Sequence, residues 1–142
     1  MPTIYSPFKQ VFYFLVLILL TVNLSSCSKK VGFETSSVVP AARGEIVVNK
    51  NKDQNNNYNI EIQISYLAEP ERLNPPKKCY VVWLESDENY PNNIGQIVGT
   101  SKLHVKFETV SATKPKRIFV TAEDDAKTQY PGNMIVLEAN NL

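Results

Sequence analysis

Nine residues from Tyr58 to Tyr66 alternate without a slip: Tyr58, Ile60, Ile62, Ile64 and Tyr66 take one side, Asn59, Glu61, Gln63 and Ser65 the other. Successive side chains of an extended chain point to opposite faces, so this pattern predicts a strand with one buried and one wet face. Glu45 to Val48 predicts a shorter strand before it, and the polar run Asn49 to Asn57 between them has to turn. Ala68 to Lys78 carries Pro70, Pro75 and Pro76 and predicts a connection. Cys79 to Leu84 (CYVVWL) is apolar at every position, which predicts a strand covered on both faces. Ile94 to Val98 is a short strand interrupted by Gly95. In the next one Leu103, Val105 and Phe107 alternate with His104, Lys106 and Glu108. Lys116 to Ala122 and Met134 to Glu138 complete the series, and no stretch shows amphipathic helical spacing.

Seven short strands at near-regular spacing predict an all-β domain over residues 44–142, a seven-stranded antiparallel immunoglobulin-like β-sandwich. A barrel is the alternative architecture. Trp83, on the third of these strands, and Tyr80 are expected in the structural core. The stretch 27–43 (CSKKVGFETSSVVPAAR) shows no sustained period and is expected to be a flexible tether.

The N-terminus has a different pattern. A short lead with one cation, Lys9, precedes the unbroken apolar run Val11 to Leu20 (VFYFLVLILL). A bilayer core takes about 20 apolar residues to span, so this run fits the shorter apolar region of a signal peptide. Leu24-Ser25-Ser26-Cys27 follows it and resembles a lipobox, the recognition sequence of bacterial lipoprotein signal peptidase. The resemblance implies a signal peptide over 1–26, cleavage between Ser26 and Cys27, and lipidation of the Cys27 thiol. Two or more acyl chains give a durable anchor where one is marginal. Ser28 after the cysteine matches the pattern that permits transfer to the outer membrane. Lys29 and Lys30, with no acid beside them, favour a domain facing the periplasm.

Removing residues 1–26 takes away one cation, Lys9, so the 15 Lys+Arg of the whole chain fall to match its 14 Asp+Glu. A neutral balance argues against a nucleic-acid partner, which selects for a basic stripe. Two cysteines are present. With Cys27 lipidated, Cys79 is alone, and its apolar strand predicts burial rather than reactivity.

From Cys79 onward the chain resembles the C-terminal extracytoplasmic domain of anti-sigma-K factors. Tyr80-Val81-Val82-Trp83-Leu84, Gly95, Val120-Thr121-Ala122-Glu123 and Pro131-Gly132 leading into Ile135-Val136-Leu137 carry the likeness. It covers about the last 60 of the 142 residues. It implies a β-sandwich with no catalytic residues and a sensing or interaction role. The family's sigma-binding segment has no counterpart here, so that activity is not implied. The chain is also similar to small lipoproteins of unassigned function from Bacteroidetes-type bacteria.

Candidate chemistry is sparse. His104 is the only histidine and is expected on a wet face; no Gly-x-Ser-x-Gly elbow is present. Glu85, Asp87 and Glu88 leave the third predicted strand, and Glu123, Asp124 and Asp125 leave the sixth. If both loops lie at one end of the sandwich, these carboxylates make a candidate Ca²⁺ site, since Ca²⁺ takes 6–8 oxygens. Solvated turns are the plainer reading, and no other cofactor is indicated. Tyr90 and Tyr130, each before a proline, are candidates for an aromatic contact surface. The expected protein is thus a non-enzymatic, lipid-anchored binding or interaction module of the bacterial cell envelope, held at the outer membrane and partnered by another envelope protein. The alternatives are a structural accessory subunit of an envelope complex, and a small hydrolase or carbohydrate-active protein.

Overall fold

The alternation at Tyr58–Ser65 folds as a strand whose isoleucines 60, 62 and 64 are buried and whose Asn59 and Gln63 are exposed. The computed structural model describes residues 28–51, 55–87, 90–98 and 104–142, together with Val11. The apolar run after Val11, the Ser26–Cys27 junction, Glu88 and Leu103 lie outside the described residues. In chain order the strands are β1 (Ser28–Gly32), β2 (Arg43–Lys50), β3 (Tyr58–Ser65), β4 (Cys79–Glu85), β5 (Asn92–Ile97), β6 (His104–Ser111), β7 (Arg117–Glu123) and β8 (Ile135–Asn140). They form two antiparallel sheets of four, ordered β1-β2-β3-β6 and β5-β4-β7-β8. The core lies between them. Ile46, Ile62 and Val105 face it from the first sheet, and Tyr80, Val82, Leu84, Ile118 and Val120 from the second.

Eight strands replace the expected seven, because residues 28–43 are not a free tether. Ser28–Gly32 pairs along β2 with Lys29 opposite Val48 and Lys30 opposite Val47. Lys30 also reaches Glu45 at 2.8 Å. The chain then crosses to the second sheet, where the Glu34 N–H donates to the Glu138 carbonyl at 2.8 Å. Beyond it Val39 and Ala42 are buried, and the Val39 N–H donates to Ser36 Oγ at 2.9 Å. This stretch lacks an obvious period because only Val31 of the strand faces the core. Lysines suit such an edge, since they discourage a further strand from pairing there. The opposite side closes at Gly95, whose φ is +142°. A Cβ there would lie 2.9 Å from the Phe107 ring, so only glycine lets β5 and β6 approach.

The central strands of the second sheet, β4 and β7, are buried on both faces, as CYVVWL predicts for β4, and this moves Trp83. Tyr80, Val82 and Leu84 point between the sheets, whereas Cys79, Val81 and Trp83 point outward with Phe119. Trp83 is therefore a buried residue of the outer face and not the inter-sheet tryptophan of the expected sandwich. The connection from β7 to β8 folds back over it: Asn93 Nδ2 donates to the carbonyls of Ala126 and Thr128, both at 2.9 Å. Arg117 stacks on the Phe119 ring at 4.3 Å and pairs with Glu138 at 2.8 Å and Glu85 at 3.2 Å.

Tyr80 is fully buried and its hydroxyl has no partner among the described residues. Burial, with a smaller contribution from Glu71, pushes its pKa up to about 12 from an ordinary 10. A raised folded-state value means that stability is fully present below pH 10 and is lost as pH rises towards 12. Two units correspond to ~3 kcal/mol. Denaturant titrations of Tyr80→Phe and wild type are expected to diverge above about pH 10, the wild type losing up to that amount more. Below pH 10 the variant should be as stable or more so, because the unpaired hydroxyl is gone.

Candidate functional site

Placing the six acidic candidates depends on how β4 and β7 run. They are antiparallel, with Cys79 opposite Glu123 and Glu85 opposite Arg117. The loop after Glu85 and the loop after Glu123 therefore leave opposite ends of the pair. Seven residues of strand separate them, about 20 Å at ~3.3 Å per residue. A single Ca²⁺ needs all its oxygens at about 2.3–2.6 Å, so the shared calcium site is ruled out by the strand register. No group of three or more His, Cys, Asp or Glu is arranged to hold a metal among the described residues.

Each described carboxylate has a local partner instead. Glu85 meets Arg117, Asp87 meets Lys116 at 2.8 Å, and Asp124 meets Lys77 at 2.7 Å. Asp125 accepts the Lys127 backbone N–H at 2.9 Å and shapes the turn. Glu123 is only 8% exposed, and it organises the cover over Trp83. The indole N–H of Trp83 donates to Thr121 Oγ1 at 2.7 Å, and that hydroxyl donates onward to Glu123 Oε1. The same oxygen accepts the Gly132 N–H at 2.7 Å. A Cβ at position 132 would lie 2.8 Å from the Glu123 carboxylate, so glycine is what lets this backbone come so close.

The remaining reactive candidates are accounted for as well. Cys79 is buried, and burial pushes its thiol above the usual range, with Glu123, Asp125 and Asp124 adding to the shift. A protonated thiol is a poor nucleophile. His104 is exposed on β6 as its alternation predicts, but the register brings Ser65 directly opposite. Ser65 Oγ and His104 Nδ1 are 2.8 Å apart, a pair that no local spacing reveals. Tyr90 and Tyr130 are 90% and 79% exposed, as loop-tip aromatics should be for a contact role.

The site that sequence reasoning missed is a polar cavity of about 330 Å³ at the pole where β2 ends and β3 begins. That is near the lower end of ligand-pocket volumes, ~300–1,000 Å³. One wall is the β2–β3 turn, which supplies Lys50, Asn55, Asn56 and Tyr58. Asn51 and Asn59 clamp the base of this turn with paired amides at 2.8 and 3.1 Å. Asn56 takes a left-handed φ of +50°, which asparagine tolerates better than most residues. The second wall is Ser86 and Asp87, directly after β4. The third is Ala112, Thr113 and Lys114, held by Ser111 Oγ, which donates to the Thr113 carbonyl at 2.9 Å. Ser86 is 8% exposed, and its hydroxyl, like that of Tyr80, has no partner among the described residues. Lys50 and Lys114 bring positive charge to the rim. Lys116, by hydrogen bond and charge, holds the Asp87 carboxyl below its usual range, and Lys114 adds to this. The only local hints in the sequence were the Asn- and Lys-rich turn and the lysines flanking Pro115.

The chain matches no family model, no curated protein and no solved structure.

Two stability tests follow from the outer-face network. Thr121→Val, which strands the Trp83 indole and leaves Glu123 Oε1 with the Gly132 N–H alone, should cost ~1–3 kcal/mol in urea unfolding. Trp83→Ala should cost more, ~3–5 kcal/mol, and equal unfolding midpoints would contradict the burial described. Millimolar Ca²⁺ and EDTA should leave the melting curve in the same place, and a Ca²⁺-dependent rise would show that the acidic loops do meet.

Proposed function

We propose that this protein is a bacterial envelope lipoprotein, cut between Ser26 and Cys27 and anchored by lipid on the Cys27 thiol. Its immunoglobulin-like sandwich faces the periplasm from the outer membrane and acts as a non-catalytic binding module. The observation that carries this reading is where the sandwich begins. Its first described strand starts at Ser28, one residue after the cysteine, and the hydrophobics that build or line the described core begin at Val31. Cleavage before Cys27 therefore leaves the described fold whole. No helix among the described residues is long and apolar enough to cross a membrane.

The finer fold assignment rests on strand order. Taking β2, β3, β4, β5, β6, β7 and β8 as strands A, B, C, C′, E, F and G gives sheets A-B-E and C′-C-F-G. That arrangement matches immunoglobulin-type order, with β1 added beside A. It agrees with the resemblance to the extracytoplasmic anti-sigma-K domain, which implies interaction rather than catalysis. The polar cavity at one pole and exposed Tyr90 give the module surfaces to bind with. The accessory-subunit reading shares the anchor and fold and differs only in lacking a small ligand.

Expression of Cys27→Ser in a bacterial host should yield an uncut precursor, or protein released from membranes, that incorporates no labelled fatty acid. The wild type should fractionate with the outer membrane and carry the label. Labelled, membrane-bound Cys27→Ser would refute the anchor.

A further inference from the structure

Two four-stranded sheets have four edge strands between them, and three of these are blunted. β1 is only five residues long and carries Lys29 and Lys30. β5 and β8 have six residues each, and each pairs with its neighbour through a shift of register. On β8 the Glu138 carbonyl is also taken by the Glu34 N–H. β6 differs. Its eight residues pair with β3 without a break, and among the described residues no backbone bond reaches its other side. β5 approaches it from the other sheet and does not extend this one. The link 99–103, outside the described residues, joins β6 at its His104 end. An unpaired row of N–H and C=O groups is a template for another strand.

The outward side chains of this edge are His104, Lys106, Glu108 and Val110, all exposed. A cation followed by an anion on one face matches its own reverse. Two copies of β6, laid antiparallel about a two-fold axis through Phe107, set Lys106 of each opposite Glu108 of the other. Moving the axis to Lys106 or to Glu108 sets like charges directly opposite, which is destabilising. Within one chain Lys106 is shared between Glu61 at 3.3 Å and Glu108 at 2.8 Å, so the second copy gives Glu108 a lysine of its own. The same axis sets Val110, 59% exposed, opposite His104. Beside His104 lies the exposed Tyr66 ring, 6.3 Å away between centroids. Apolar surface left wet at both ends of the strand is therefore covered twice, as a two-fold contact requires. We infer that β6 is an interface between two copies of this chain, paired antiparallel about Phe107 so that two four-stranded sheets become one continuous sheet. The pairing does not depend on the lipid anchor.

The whole chain, as its host produces it, is purified in neutral detergent and its association followed by sedimentation over a range of concentrations. A concentration-dependent dimer that weakens with added salt is expected, since exposed charge pairs are screened. Lys106→Glu alone, or Glu108→Lys alone, sets like charges opposite each other twice and should weaken the dimer about tenfold or more. Both substitutions in one chain should restore it. Mixing the two single variants under different tags should also restore it, as a mixed pair, which no folding defect imitates. A second test leaves these charges untouched. His104→Cys with Val110→Cys puts two thiols about 20 Å apart on one strand at ~3.3 Å per residue, too far for an internal disulfide. Mild oxidation should link two chains, and mass spectrometry should find position 104 joined to position 110. Monomers at every concentration, or single charge variants that dimerise like wild type, would overturn the interface. So would single variants that melt like wild type yet fail to associate when mixed. If the charge variants do not fold, the cysteine pair decides alone, and absence of the 104–110 link overturns the pairing.

Discussion

Everything in the second sheet depends on burying β4 on both faces. Cys79-Tyr80-Val81-Val82-Trp83-Leu84 leaves no side to water, yet a two-layer sandwich covers only one face of each sheet. The outer face holds Val81, Trp83 and Phe119, and leaving it wet would expose an apolar patch too large for a small domain. The β7–β8 connection supplies the missing layer. It is held down by Asn93 on one side and Glu123 on the other. A carboxylate that is almost fully buried is tolerated because Thr121 and the Gly132 backbone both donate to it.

That requirement explains why a run of acids at the end of β7 serves structure. Glu123 belongs to the cover, Asp124 ties it to Lys77, and Asp125 turns the chain into the covering loop. The Cys79 thiol beneath the same group of acids is kept protonated by burial and by their charge. Chemistry at this pole is suppressed by the packing that makes the sheet stable. The opposite pole carries no such burden. Its turns stand clear of the outer face, and their lysines and amides surround an open polar cavity.

The first sheet solves a milder problem. Its outer face is solvated, with Lys106 between Glu61 at 3.3 Å and Glu108 at 2.8 Å, surface contacts worth little individually. One of its edges is β1, and Glu34 binds that edge to β8 of the other sheet. The stretch after Ser28 is thus built into the sandwich rather than trailing from it.

Periodicity is a local property, and the sequence determined what is local. Alternation at 58–65 and at 104–108 defined strands and their wet faces, including the outward His104, although Tyr66, expected on the buried side, leaves the strand at a left-handed φ of +59° and is exposed; the uninterrupted CYVVWL run predicted burial on both sides. β1 escaped notice because five residues with one inward valine carry no period. Strand pairing is non-local, and only the tertiary structure decided it. The β4–β7 register separated two acidic loops that composition invited one to join, and it placed Ser65 against His104, 39 residues apart. The same limit hid the cavity: its three walls come from turns near residues 55, 86 and 113, each an ordinary polar turn until the two sheets fold face to face. Which side of β4 would meet the other sheet was equally undetermined, because an apolar strand has no wet face to orient it. Packing against Ile118 and Val120 chose Tyr80 for the core and left Trp83 to the loop.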